Sequence, residues 1–298
     1  MVRGTTVSGN VFVPQTPESF NYDLDGNLSQ DGRWMYTWDG ENRLTAMESL
    51  MNAPSGSKRK LLFEYDAGSR RIGKKVFVWN GTAYPANPNT TLKFLYDGWN
   101  LIAELDGANA TVRSYQWGTD LSGNLRGAGG AGGLLSVKPA GQAAQFVAYD
   151  ANGNVVALVD GTSGSLSAIY EYGPFGELIR SSGIQAAHPL LYSTKYRDAE
   201  SDFLYCGYRY YSSGSGRWLS RDPVGEKGGL NLHSFLNNSP IASVDYLGLI
   251  DYYFHVVKGL FSFEPAGFTG EWGQPFWCAT GSKNVEKPEL RPHYCSTI

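Results

Sequence analysis

Charged residues, cysteines and long apolar runs are all scarce in this chain, and each shortage closes off a class of protein. Only 18% of its 298 residues are Asp, Glu, Lys or Arg, and the formal net charge is −3. No basic field is present to attract a nucleic acid. No stretch approaches the roughly 18 uninterrupted apolar residues of a membrane-crossing helix. The opening residues, Met1 to Asn10, lack the apolar core of a signal peptide. Three cysteines do not make a disulfide framework. Cys206 stands in an aromatic run and reads as a small buried residue. Cys278 and Cys295 lie in the C-terminal tail and can pair if the chain is exported.

What is abundant is glycine and aromatic surface: 37 Gly, 19 Tyr and 8 Trp. Aromatic residues suit pleated surfaces and glycine suits the tight turns between them, so the expected fold class is all-β. A repeat runs through the first two-thirds. Tyr22-Asp23-Leu24-Asp25-Gly26-Asn27-Leu28 returns as Tyr149-Asp150-Ala151-Asn152-Gly153-Asn154-Val155. Looser copies begin at Trp38, Tyr65-Asp66 and Tyr96-Asp97, and the long gap before Tyr149 leaves room for a degenerate one near Tyr115–Gly118. Each unit reads as a hairpin: the aromatic residue ends a strand, Asp-Gly or Asn-Gly supplies two positive-φ positions, and the Asp caps the turn. Lys74–Trp79 and Leu92–Tyr96 read as strands between such turns.

Two other motifs are set aside. Asp23, Asp25 and Gly26 faintly echo a calcium loop, but Trp34 occupies the position of its last acidic ligand. Gly127–Gly133 lacks the Lys-Ser/Thr ending of a phosphate loop and precedes a strand, Leu134–Val137, so it reads as a flexible turn. The chain calls for no metal and no cofactor.

Residues 203–249 differ from the repeats. Tyr205-Cys-Gly-Tyr-Arg-Tyr-Tyr211 reads as a strand, Ser212–Gly216 as its turn, and Arg217–Arg221 as the return, ended by Pro223. Leu232, Phe235 and Leu236 have the spacing of one or two helical turns. Ile241–Asp245 reads as a short extended segment. Asp222 and Asp245 therefore stand at element ends. Two carboxyls in a dry site push each other's pKa values apart and can activate water against a peptide carbonyl. Arg221, with Arg197 and Arg217 farther off, supplies a cation for the ionised carboxylate or for developing oxyanion charge. The same carboxylates can also serve as plain turn caps. His188 and His233 read as core and turn residues.

The Tyr-Asp-x-x-Gly-Asn units resemble the YD repeats of bacterial Rhs proteins and of the C component of insecticidal toxin complexes. Arg-Tyr-Tyr, Gly216-Arg-Trp-Leu, Asp222-Pro, Gly-Gly-Leu-Asn-Leu and Asp245-Tyr-Leu-Gly-Leu249 resemble the Rhs repeat-associated core domain. The resemblance implies a β-strip that spirals into a hollow shell, a core domain that closes one end, and a variable C-terminal polypeptide, often a toxin, held inside. It further implies an intramolecular aspartyl protease: Arg221 and Asp222 match its Arg-Asp-Pro element, Asp245 its final Asp, and the bond between Leu249 and Ile250 is the one cut. Tyr246 stands where the family has Pro.

The expected division is 1–19 lead-in, 20–180 repeat strip, 181–249 core domain and 250–298 tail. The repeat region is short for a closed chamber, so the chain reads as a fragment or remnant of a longer protein. The expected partners are its own tail, an upstream repeat region, a cognate immunity protein or a surface ligand. The expected location is extracellular or at the cell surface, as part of an exported parent. A rival reading is a secreted or surface protein whose aromatic β surface binds carbohydrate or protein without catalysis. The tail's His255, Cys278, His293 and Cys295 lack the paired spacing of a zinc site.

Overall fold

A computed structural model describes Val13 and residues 17–183, 188–257 and 260–265, with side chains as far as Leu249. The expected pairing of Cys278 with Cys295 and the side chains of Ile250, His255 and His293 lie outside the described residues. Fourteen strands, from Asn21–Tyr22 to Leu178–Gly183, form one open antiparallel sheet in which each strand pairs with its sequence neighbours. A four-stranded sheet follows, from Tyr196–Arg197 to Arg217–Trp218. Ser243–Tyr246, Ile250–Val257 and Leu260–Pro265 form a third sheet. Among the described residues the only helical pieces are short 3-10 turns.

The repeat turns differ from expectation in one respect. In the unit at Asp23, Gly26 N donates to Asp23 O, and Asp23 N donates to Asn27 O. Only Gly26 takes a positive φ, 77°, and the strand register shifts just before the turn. This is a turn closed by a bulge, not a two-residue turn with both φ positive. The same pair of backbone bonds recurs at Asp39, Asp66, Asp106, Asp120, Asp150 and Gly173. Hence the unit near Tyr115 is real, its turn lying at Asp120–Asn124, and Tyr172–Glu177 is a further copy that its Gly-Pro disguised.

At Asp66 and Asp150 the Asp side chain holds the turn as the sequence suggested, whereas at the Tyr96-Asp97 copy Asp97 pairs with Asn100 across a two-residue turn and its side chain meets Arg126. Asp66 Oδ1 accepts from Gly68 N and Arg70 N, both at 2.9 Å. Asp150 Oδ1 accepts from Asn152 N and Asn154 N at 2.9 and 3.0 Å.

The conserved chemistry of the aromatic position within these repeats is explained by a ladder. Each of these aromatics donates to the carbonyl of the first residue of an earlier strand: Trp38 Nε1 to Leu28 O (2.8 Å), Tyr65 Oη to Leu44 O (2.7 Å), Tyr96 Oη to Arg71 O (3.0 Å), Tyr149 Oη to Leu134 O (2.6 Å) and Tyr172 Oη to Val155 O (2.7 Å). Tyr or Trp, with a polar tip on an apolar body, can do this and Phe cannot.

Alternation places Trp34, Tyr36, Leu61, Phe63 and Phe94 on one buried face, where Tyr205 and Tyr210 of the small sheet and Leu219 just after it pack. Burying each such side chain contributes about 1.5–3 kcal/mol. Into this core the chain places Arg71, which is fully buried. Its guanidinium lies 2.6 Å from Asp198 and within 4.6–5.0 Å of the Tyr205, Tyr196 and Phe94 rings. Lys74 adds a second cation 2.7 Å from Asp198. A hydrogen bond from Leu28 N to Leu219 O, 2.8 Å, ties the first repeat to the residue that follows the small sheet's last strand.

Two further expectations change. Tyr205–Tyr211 is not one strand: Gly207, at φ 104°, lets it fold so that Tyr205 pairs with Tyr210. Leu232–Leu236 does not form an α-helical turn; Leu236–Asn238 is a 3-10 turn with positive φ at all three residues. Phe235 is fixed there by tertiary stacking on Tyr211, 3.7 Å between ring centroids.

Candidate active site

Three segments meet beside the small sheet. The turn at Gly207 swings Arg209 inward, and its guanidinium lies over the Trp218 ring at 4.1 Å. Asp222 follows the return strand; its N–H donates to Leu232 O at 3.0 Å, and its Oδ1 accepts from Val224 N at 2.9 Å. Asp245 enters from Ser243–Tyr246. Arg209 Nη2 stands 3.0 Å from Asp222 Oδ2 and 3.8 Å from Asp245 Oδ2, so one cation serves both carboxylates.

The structure thus brings Asp222 and Asp245 together and replaces the expected arginine. Arg221 is exposed, its stem laid against Gly26. Arg197 pairs with Asp202 at 2.5 Å, and exposed Arg217 borders a different, polar surface pocket. Sequence reasoning passed over Arg209 because it sits inside an aromatic run read as a regular strand. The signal was there: a guanidinium among tyrosines must find a carboxylate if it is buried.

Burial sets the electrostatics. It pushes the Asp245 carboxyl up to about 6, against the opposing pull of Arg209, Lys195 and the Gly248 N–H; Asp222 adds to the rise. Burial also raises Asp222, again opposed by Arg209. Asp245 Oδ2, Arg209 Nη1 and Ser243 Oγ have no hydrogen-bond partner among the described residues. Cys206, whose thiol burial pushes up to about 12, is not a nucleophile in this setting. His188 is buried and pushed down to about 3 by desolvation, which keeps it neutral.

The same groups hold the turn that follows. Asp245 Oδ1 accepts from Gly248 N, and Arg209 Nε donates to Gly248 O at 2.5 Å. Tyr208 N donates to Leu247 O at 3.0 Å, and Leu249 N to Tyr246 O at 3.2 Å. Leu247 and Gly248 take φ values of 60° and 76°. A positive φ at leucine is costly. The surrounding bonds hold it there, immediately before Leu249 and the strand Ile250–Val257.

No family model matches the chain. Among curated proteins, the tRNA3(Ser)-specific nuclease WapA of Bacillus spizizenii is 31% identical over 236 residues, 76% of this chain. Toxin subunit YenC1 of Yersinia entomophaga is 42% identical over 104 residues, 34% of this chain. A crystal structure of TcdB2-TccC3 matches 76% of the chain with a TM-score of 0.58 at 22% identity. The chain belongs to the Rhs (YD-repeat) family of polymorphic toxins. It spans only 9% of the length of that WapA and 10% of YenC1. The likeness to TcdB2-TccC3 shows that the open antiparallel sheet shares the fold of part of that structure.

Proposed function

We propose that this Rhs chain forms the closing end of a toxin shell and cuts itself after Leu249, freeing the segment that begins at Ile250. The observation that carries the reading is a single buried arginine, Arg209, which stands between the partly buried Asp222 and the buried Asp245 and also grips the turn leading into that bond. Asp222, closer to Arg209, ionises more readily and takes a proton from water. The water oxygen attacks the Leu249 carbonyl carbon while the protonated Asp245 supplies its proton to the leaving nitrogen. The C–N bond breaks, leaving a carboxyl group on Leu249 and an amine on Ile250. Arg209 Nη1 is the donor for the developing oxyanion. In this reading 20–180 is shell wall, 181–249 the core that closes it, 250–298 the cargo and 1–19 a lead-in. Further upstream repeats complete the enclosure outside the producing cell, and an immunity protein is the cargo's natural partner.

Intact-mass measurement of the full chain beside Asp222→Asn, Asp245→Asn and Arg209→Lys variants tests this. Wild type should lose a piece of roughly 5 kDa, at about 110 Da per residue over 250–298. The two Asn variants should stay whole, and Arg209→Lys should cut at least tenfold more slowly. An uncut wild type under conditions where the chain is folded would leave the closing role without the protease.

A further inference from the structure

The glycine run Gly127–Gly133 is not a loose turn. Buried Asp120 accepts from Ala128 N at 2.7 Å and Gly130 N at 3.1 Å, fixing the loop from beneath. Gly132 N donates to Thr194 Oγ1, and Thr194 Oγ1 donates to Gly153 O, both at 2.8 Å. The next residue, Lys195, is only 7% exposed, and its Nζ donates to Gly129 O at 2.8 Å. Gly129 has φ 61°, and a Cβ there would lie 3.2 Å from Lys195 Nζ, 3.4 Å from Leu247 N and 3.5 Å from Tyr246 Cδ2. The lysine head, the bare glycine and the start of the Tyr246–Leu249 turn therefore meet at one point. Arg209 holds the other end of that turn through Gly248 O. Pro fixes φ covalently; with Tyr246 in that place, the turn needs support from outside.

We infer that Lys195 is a positioning residue that clamps the glycine-rich loop of the long sheet onto the Tyr246–Leu249 turn, so that the following bond is presented only while the small sheet is docked on the long one. The clamp stands on this geometry; its bearing on cleavage rests on the self-cleavage reading above. A buried ammonium needs fixed acceptors, and Lys195 finds one on the long sheet. Cleavage is in this way conditional on assembly of the two sheets.

Hydrogen exchange on the full chain in an Asp222→Asn background reads the clamp whether or not wild type cleaves. Lys195→Met should raise exchange of the Tyr208 and Leu249 amides at least tenfold, leave the strands Arg59–Tyr65 and Arg71–Val78 unchanged, and be reversed by Lys195→Arg. With Asp222 intact, Lys195→Met should slow release of the tail at least tenfold, and Lys195→Arg should recover most of it. Unchanged exchange at those two amides overturns the inference. So does a rise spread over the whole chain, because Lys195 would then support the fold and not the turn. Local loosening in a chain that never cleaves keeps the clamp and removes the protease.

Discussion

Asp198 and Asp245 are equally buried, and their carboxyls are driven in opposite directions. Burial raises both. At Asp198 the rise is overcome by Arg71 at 2.6 Å and Lys74 at 2.7 Å, and the group is held below the usual carboxylate range. At Asp245 the nearest cation is Arg209 at 3.8 Å, shared with Asp222, and burial wins. The turn aspartates are a third case: Asp66 feels a smaller desolvation, which the Arg70 N–H and side chain outweigh, so it too is lowered. The difference teaches that burial alone does not mark an aspartate for chemistry. How many donors reach it, and how closely, decides whether it locks a fold or stays poised to exchange a proton.

The largest expected effect lies on the locked side of that contrast. Asp198→Asn leaves Arg71 and Lys74 short of a counter-charge in the core and should cost about 3–5 kcal/mol, read as a lower urea midpoint. A loss below 1 kcal/mol would show that Glu200, 2.6 Å from Lys74, takes over the role.

On the poised side the sign reverses. The folded Asp245 carboxyl, at about 6, lies above its unfolded value of about 3.9, so the native state binds its proton more tightly. Stability is then lost as pH rises from about 4 to about 6, by about 3 kcal/mol in all. Asp245→Asn should therefore be more stable than the parent above pH 6 by about that amount and match it below pH 4. Parallel curves across this range would break the comparison.

The smallest effects belong to the repeats. Asp66→Ala should cost about 1–2 kcal/mol, because the Gly68 and Arg70 amides lose their acceptor. Tyr65→Phe, which removes the donor to Leu44 O, should cost about 1 kcal/mol. Neither should alter release of the tail, and urea titration beside intact mass checks both points.

Much of the long sheet was legible because its signals are local. The Tyr-Asp pairs, the turn glycines and the alternating strands each act within a few residues, and the strands Arg71–Val78 and Thr90–Asp97 lie where Lys74–Trp79 and Leu92–Tyr96 suggested. The turn type is not legible in the residues because a bulge and a two-residue turn share the same Asx-Gly signature; what separates them is strand register. Tyr172–Glu177 escaped notice because Gly173-Pro174 stands where the other units carry Asp. Phe235 and Leu236 kept the spacing of a helix but pack against Tyr211 and Trp218 from a 3-10 turn.

By itself the sequence determined an all-β chain of YD hairpins, its family, and two carboxylates at the junction, since turn chemistry and two-residue periodicity are properties of neighbouring residues. Only the tertiary structure decided which cation meets those carboxylates. Arg209, Asp222, Asp245 and Lys195 come from separate segments, and they converge because Gly207 bends an aromatic run and because the small sheet seats on the buried face of the long one. A contact of that kind depends on packing between distant segments, and no local pattern encodes it.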